Sequence, residues 1–150
     1  MTFVEDDPLI GDVNDAAKKI HQKLKEIESS TKPTAIVWGG ETTVKIKGSG
    51  LGGRNQELAL IVAELAHQDP IRKSWTFLSG GTDGRDGPTE AAGAIVDQET
   101  CKRILNEGYQ VYDFLAENNS NKALQISNDL LHTGATGTNV ADVQILIVSQ

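Results

Sequence analysis

Trp75-Thr76-Phe77-Leu78-Ser79-Gly80-Gly81-Thr82-Asp83-Gly84-Arg85-Asp86-Gly87-Pro88-Thr89 runs from an apolar stretch straight into a loop without one large apolar side chain. Trp75 to Leu78 reads as a buried strand. The ten residues from Gly80 to Thr89 hold four glycines, two aspartates and two threonines. Such a loop adds nothing to a core. Its glycines allow close backbone approach, so successive N–H groups can converge on an anion. Asp83 and Asp86 add carboxylates suited to holding Mg²⁺ or accepting a proton. The plainer alternative is a turn-rich connector whose aspartates bond their own backbone.

Outward from this loop the chain alternates between helical and extended patterns. Residues 1–33 read as an acidic lead-in, an amphipathic helix and a linker. In the helix Val13, Ala16, Ala17, Ile20, Leu24 and Ile27 form one apolar stripe, with the lysines off it. Thr34 to Trp38 is a compact apolar strand that Gly39-Gly40 is expected to break, and Thr42 to Lys47 alternates as a second strand. Gln56 to His67 is a strongly apolar helix ended by Asp69-Pro70. A short strand is expected at 94–96, then a helix capped by Asp97 and closed by Gly108. Val111 to Ala116 is a helical turn, and Val143 to Val148 a buried final strand. The alternation predicts an α/β domain with a mixed, largely parallel sheet and helices packed on both faces. Strands 34–38, 75–79 and 143–148 are apolar enough to be covered on both sides.

Two further loops share the character of the first. Gly48-Ser49-Gly50-Leu51-Gly52-Gly53-Arg54-Asn55 has the spacing Gly-x-Gly-x-x-Gly between a strand and a helix, which sets N–H groups and a helix N-terminus against an anion. No Lys-Ser or Lys-Thr pair follows, so it is not a Walker loop. Arg54 at the helix mouth offers a planar fork matched to phosphate oxygens. As an exposed loop arginine it is expected to contribute little to stability. Thr133-Gly134-Ala135-Thr136-Gly137-Thr138-Asn139 brings hydroxyl and amide groups to a third loop, with His132 beside it. Asn118-Asn119-Ser120 is most simply a helix end.

With 150 residues the chain makes one core, and 38% hydrophobic residues is ordinary for a globular domain. A net charge of −7 argues against a nucleic-acid partner. No apolar run is long enough to span a membrane, and no signal peptide is read. The lone Cys101 excludes an internal disulfide and fits a reducing, cytoplasmic setting, with the mitochondrion as the alternative for a longer protein. His21, His67 and His132 lack metal-ligand spacing.

Four motifs occur in order: Gly39-Gly40-Glu41-Thr42-Thr43-Val44, then Gly52-Gly53-Arg54-Asn55-Gln56-Glu57-Leu58-Ala59-Leu60, Gly81 to Ala94, and Thr133 to Val140. Together they resemble the MOFRL domain, the C-terminal part of the second family of glycerate kinases, over residues 34–150. Two positions depart from relatives: Ala135 stands where many have proline, and Asn119 where aspartate is frequent. The resemblance implies a two-domain kinase that transfers the ATP γ-phosphate, with Mg²⁺, to D-glycerate in a cleft between the domains. The larger, Rossmann-like domain lies N-terminal in such proteins and is expected to be the missing partner here. The matched positions imply catalytic roles for Arg54 and Asp83. They imply substrate or phosphate binding at Gly50, Gly52, Gly53, Asn55, Thr82, Asp86, Thr136, Thr138 and Asn139, with Asp83 or Asp86 as the Mg²⁺ carboxylate. Two other readings stay open: an NAD(P)-dependent hydroxypyruvate reductase, and a ligand-binding module without catalysis.

Overall fold

The computed structural model describes residues 1–149. Its sheet is built from β1 (Thr2–Val4), β2 (Leu9–Asp12), β3 (Thr34–Thr43), β4 (Trp75–Gly81), β5 (Gly93–Asp97), β6 (Leu130–Leu131) and β7 (Asp142–Val148). The helices are α1 (Val13–Glu28), α2 (Arg54–Gln68), α3 (Thr100–Asn106), α4 (Val111–Ala116) and α5 (Ser120–Ser127). Strand order is β1-β3-β7-β4-β5-β6, with β2 also on β3.

The sheet is mixed, as expected, but its parallel share is small. Only β1 and β2 run parallel to β3. The pairings β3–β7, β7–β4, β4–β5 and β5–β6 are all antiparallel. The chain re-enters the middle of the sheet with its last strand, β7, which sequence alternation alone cannot reveal. The first residues are not a loose lead-in, since β1 and β2 extend the sheet beside β3. Nor do Gly39 and Gly40 break a strand. β3 continues through them to Thr43, and the space where a Cβ on Gly40 would stand is filled by the Leu9 backbone of β2. Residues 44–53, expected to begin as a strand, are irregular.

All five helices lie on one face, clustered around α2. That face of the sheet presents Ile36, Trp38, Phe77, Val96, Leu146 and Val148, all buried with Ile20 and Leu24 of α1 and Leu58 and Val62 of α2. The expectation of helices on both faces is therefore corrected. Across the opposite face Val4, Val37, Ile145, Leu78 and Ile95 stand in register over five strands, and among the described residues the helices pack on the other side, leaving Val4 and Ile95 exposed. The strands read as doubly buried because both faces are aliphatic, yet only one is packed within this chain.

Adjacent residues of β7 measure this asymmetry. Leu146 is fully buried and Ile147 is 49% exposed. Leu146→Ala is expected to cost about 2–5 kcal/mol, and Ile147→Ala less than about 1 kcal/mol, in urea melts. Equal losses would mean that the far face is covered.

Candidate active site

The loop after β4 folds back over the N-terminus of α2. There Asp86 Oδ1 accepts from the backbone N of Asn55 at 3.1 Å and from its Nδ2 at 3.2 Å. Oδ2 accepts from the backbone N of Gln56 at 2.9 Å and from its Nε2 at 3.0 Å. The free N–H groups that open α2 are thus satisfied by a carboxylate from another loop. Asp86 is 3% exposed. Burial raises its carboxyl above the usual range, against the pull of those four N–H groups. The glycines have a steric reason at the same place. A Cβ on Gly53 would collide with the Asp86 carboxylate, one on Gly52 with Ser120 Oγ, and one on Gly50 with Asn119 and the Glu117 carbonyl. Asn55 is buried too, its Oδ1 accepting from Ser79 Oγ at 2.7 Å.

Arg54, the first residue of α2, is gripped from β7. Its Nε donates to Asp142 Oδ2 at 2.6 Å and its NH2 to Asp142 Oδ1 at 3.0 Å, while NH1 lies 3.2 Å from Glu41 Oε1 on β3. The Asp142 side chain is fully buried and that of Arg54 is 36% exposed. The bond to Asp142 raises the already high basicity of the guanidinium, so it stays charged. A bidentate fork fixes its plane as well as its position. Ala141, just before Asp142, holds a left-handed φ of 66°, and its carbonyl accepts both Thr82 N and Thr82 Oγ1.

Arg54 opens onto a cavity of about 460 Å³. Its walls are the 41–46 and 48–53 segments, Asp86 to Pro88, Glu57 and Asn118. Glu57 is 7% exposed, and both its oxygens accept from Asn118 Nδ2, at 3.1 and 3.2 Å. Burial raises its carboxyl, with Asn118 and Lys47 pulling the other way. Asn118 holds a left-handed φ of 52°, and its Oδ1 accepts Lys47 N at 2.6 Å and Gly48 N at 3.0 Å. Thr42 Oγ1, in the same wall, is buried and has no hydrogen-bond partner among the described residues.

The remaining sequence candidates gather beside a shallower cleft. Asp83 and His132 line it with Arg85, Glu90 and Gly134. Asp83 Oδ1 accepts Arg85 N at 3.0 Å in a local turn. Thr82, Thr136, Thr138 and Asn139 mostly bond within the paired loops. Thr136 Oγ1 donates to the Thr82 carbonyl, the Thr138 backbone N donates to Thr136 Oγ1, and Asn139 Oδ1 accepts Ala141 N. The cavity thus gathers Gly50, Gly52, Gly53, Arg54 and Asp86, while Asp83 and the third loop stand apart. Sequence reasoning gave no role to Glu57, Thr42 or Asp142. The signal for Glu57 was its place three residues after Arg54, on the same side of one helix.

A family model described as the MOFRL family matches residues 34–142. The glycerate kinase of Homo sapiens is 46% identical over 134 residues, covering 87% of this chain and 26% of the relative. The D-glycerate 2-kinase of Thermotoga maritima is 44% identical over 142 residues, covering 91% and 33%. The crystal structure of a Thermotoga maritima glycerate kinase superposes with a TM-score of 0.92 at 41% identity, covering 99% of this chain and 36% of that one. A Pyrococcus horikoshii crystal structure superposes at 0.88 with 40% identity, covering 99% and 34%. The chain therefore spans about a quarter to a third of the length of these relatives.

Proposed function

The chain belongs to the MOFRL family, and from that premise we infer that it forms one wall of an ATP-dependent glycerate kinase site. The observation that carries this reading is the charged, pre-oriented Arg54 fork at the mouth of the glycine-walled cavity. Phosphoryl transfer needs little covalent help from a protein. It needs positioning and positive charge near the phosphoryl oxygens or the acceptor's carboxylate. Arg54 supplies both, because Asp142 prevents it from swinging away. D-glycerate, with one carboxylate and two hydroxyls, matches a cavity that combines a guanidinium with hydroxyl and carboxylate groups. The name of the Thermotoga maritima relative specifies the 2-position, and we assign the 2-hydroxyl as acceptor here.

Nucleotide transfer of this kind uses Mg²⁺, which neutralises charge on the phosphates. Asp86 does not fit as its ligand, since both its oxygens are taken by N–H donors. Asp83 does fit. It has one oxygen free of the local turn, and Mg²⁺ needs only one or two carboxylates beside phosphate and water. A nicotinamide reading would place a pyrophosphate at the N-terminus of α2, where Asp86 already sits. The reductase alternative is accordingly not favoured.

The test is ADP release from ATP and D-glycerate by the whole protein, beside NADH consumption with hydroxypyruvate. Turnover in the second assay alone would overturn the kinase reading. Residues 1–150 by themselves are expected to release no ADP above background, because the cavity is walled here on only part of its circumference. Robust turnover by residues 1–150 would show that no second domain is required.

A further inference from the structure

We propose that Glu57 accepts the proton of the acceptor hydroxyl when the substrate occupies the cavity beside Arg54. The proposal rests on the kinase reading above and adds the group that activates the nucleophile. Arg54 and Glu57 lie three residues apart on α2 and line the same cavity. They do not neutralise each other: Arg54 is engaged by Asp142 and Glu41, and Glu57 by Asn118. One end of the helix therefore offers a fixed cation and a fixed carboxylate to one small ligand.

The carboxylate is oriented by an amide whose own orientation is set independently. Asn118 Oδ1 receives two backbone N–H groups, so its Nδ2 is the end that faces Glu57. Both Glu57 oxygens accept from that single nitrogen. An ionised carboxylate offers about four acceptor positions, so Glu57 keeps capacity for a substrate hydroxyl. Thr42 lines the same cavity with its Oγ1 buried beneath the wall, so Glu57 and Arg54 are the groups that face a ligand there.

Chemically, the acceptor O–H bond breaks as its oxygen bonds the γ-phosphorus. The bond from that phosphorus to the β–γ bridging oxygen breaks, and the diphosphate leaves with the electron pair. The proton ends on Glu57. Burial raises the basicity of this carboxylate, which favours that role. The charged groups acting on it are Lys47 from the 44–53 segment, Asp12 at the start of α1 and Asp86 from the loop after β4. Lys45 and Tyr112 line the cavity behind it.

Glu57→Gln in the whole protein, assayed with ATP and D-glycerate, is expected to lower kcat by about 10²–10⁴-fold, with KM little changed. The acid limb of the wild-type pH profile should lie above the ordinary glutamate range and vanish in the variant. Glu57→Asp should keep an acid limb. A purely structural role would instead have Glu57→Gln lower the melting temperature and leave kcat intact. The raised folded-state value means that ionising Glu57 weakens the fold as pH rises from the unfolded value through the folded one, while the protonated form carries no such cost. Glu57→Gln should therefore melt higher than wild type at pH 7 and match it near pH 4. A variant that keeps both kcat and the acid limb overturns the proposal, whereas a wild-type protein without glycerate turnover overturns the kinase reading instead. In the whole protein, the ¹³C resonance of the Glu57 carboxyl should move on addition of D-glycerate. A resonance that ignores D-glycerate overturns the proposal without any activity measurement.

Discussion

Arg54→Ala is expected to lower kcat of the whole protein by at least about a hundredfold, a floor on the ~10³–10⁵ that a positioned arginine contributes to phosphoryl transfer. The same change should also weaken the fold. Viewed as a loop arginine, Arg54 is dispensable for stability. Among the described residues it is the one charge partner of Asp142, whose side chain is fully buried in β7. Removing one member of a buried pair leaves the other uncompensated, which costs about 3–5 kcal/mol when both are dry. The guanidinium is 36% exposed, so solvent screening lowers the figure to about 2–3 kcal/mol. Activity and stability are separable. Arg54→Lys keeps a point charge near Asp142 but not the fork, so it should recover part of the stability and less of the rate. Loss of a contact made equally to bound substrate and transition state would raise KM and spare kcat. Wild-type kcat in folded Arg54→Ala would remove Arg54 from the chemistry. An unchanged melting temperature would contradict the pairing with Asp142.

Much of the fold is legible where local patterning decides it. The stripe Val13, Ala16, Ala17, Ile20 and Leu24 becomes the buried side of α1, and Asp12 caps that helix through Asn14. Gly108 ends the α3 region with a φ of 85°. What local patterning cannot carry is partner choice. β3 and β7 are apolar on both faces, which reads as double burial, yet only one face meets helices. β1 and β2 are short and polar at their ends, so their pairing with β3 leaves no periodic mark.

The site divides along the same line. Arg54 stands out in the sequence through its charge and its glycines, and it does reach the cavity. Asp142 is invisible as its partner because 88 residues separate them. Asn118 looks like a helix end because its work is done through long-range bonds, to Glu57 on α2 and to the backbone of Lys47 and Gly48. The spacing of Gly48, Gly50 and Gly53 suggests an anion at the opening of α2. An anion is there, but it is the side chain of Asp86.

That substitution of a fixed carboxylate for a mobile ligand sets up the other large effect. Asp86→Ala is expected to cost the fold about 3–5 kcal/mol, as for other buried, hydrogen-bonded charges whose removal strands their partners. Three donors lose their acceptor at once, the backbone N–H groups of Asn55 and Gln56 and the Nδ2 of Asn55, while Gln56 Nε2 keeps Thr89 Oγ1. Thr89 remains bound to the Asp86 backbone carbonyl, so the turn itself is not the part that fails. Asp86→Asn keeps one acceptor oxygen but turns a donor toward the other pair of N–H groups. About half the loss should therefore persist, read as a lower urea midpoint with an unchanged slope. Activity tells the two roles of Asp86 apart. As an anchor for the start of α2, it can become Asn while the folded protein keeps kcat within about tenfold, since Arg54 still has Asp142. As a Mg²⁺ ligand or proton acceptor, the same change would remove about 10²-fold or more of kcat with little shift in the urea midpoint. The four N–H groups around its two oxygens favour the anchor, and a stable, inactive Asp86→Asn variant would return Asp86 to the chemistry.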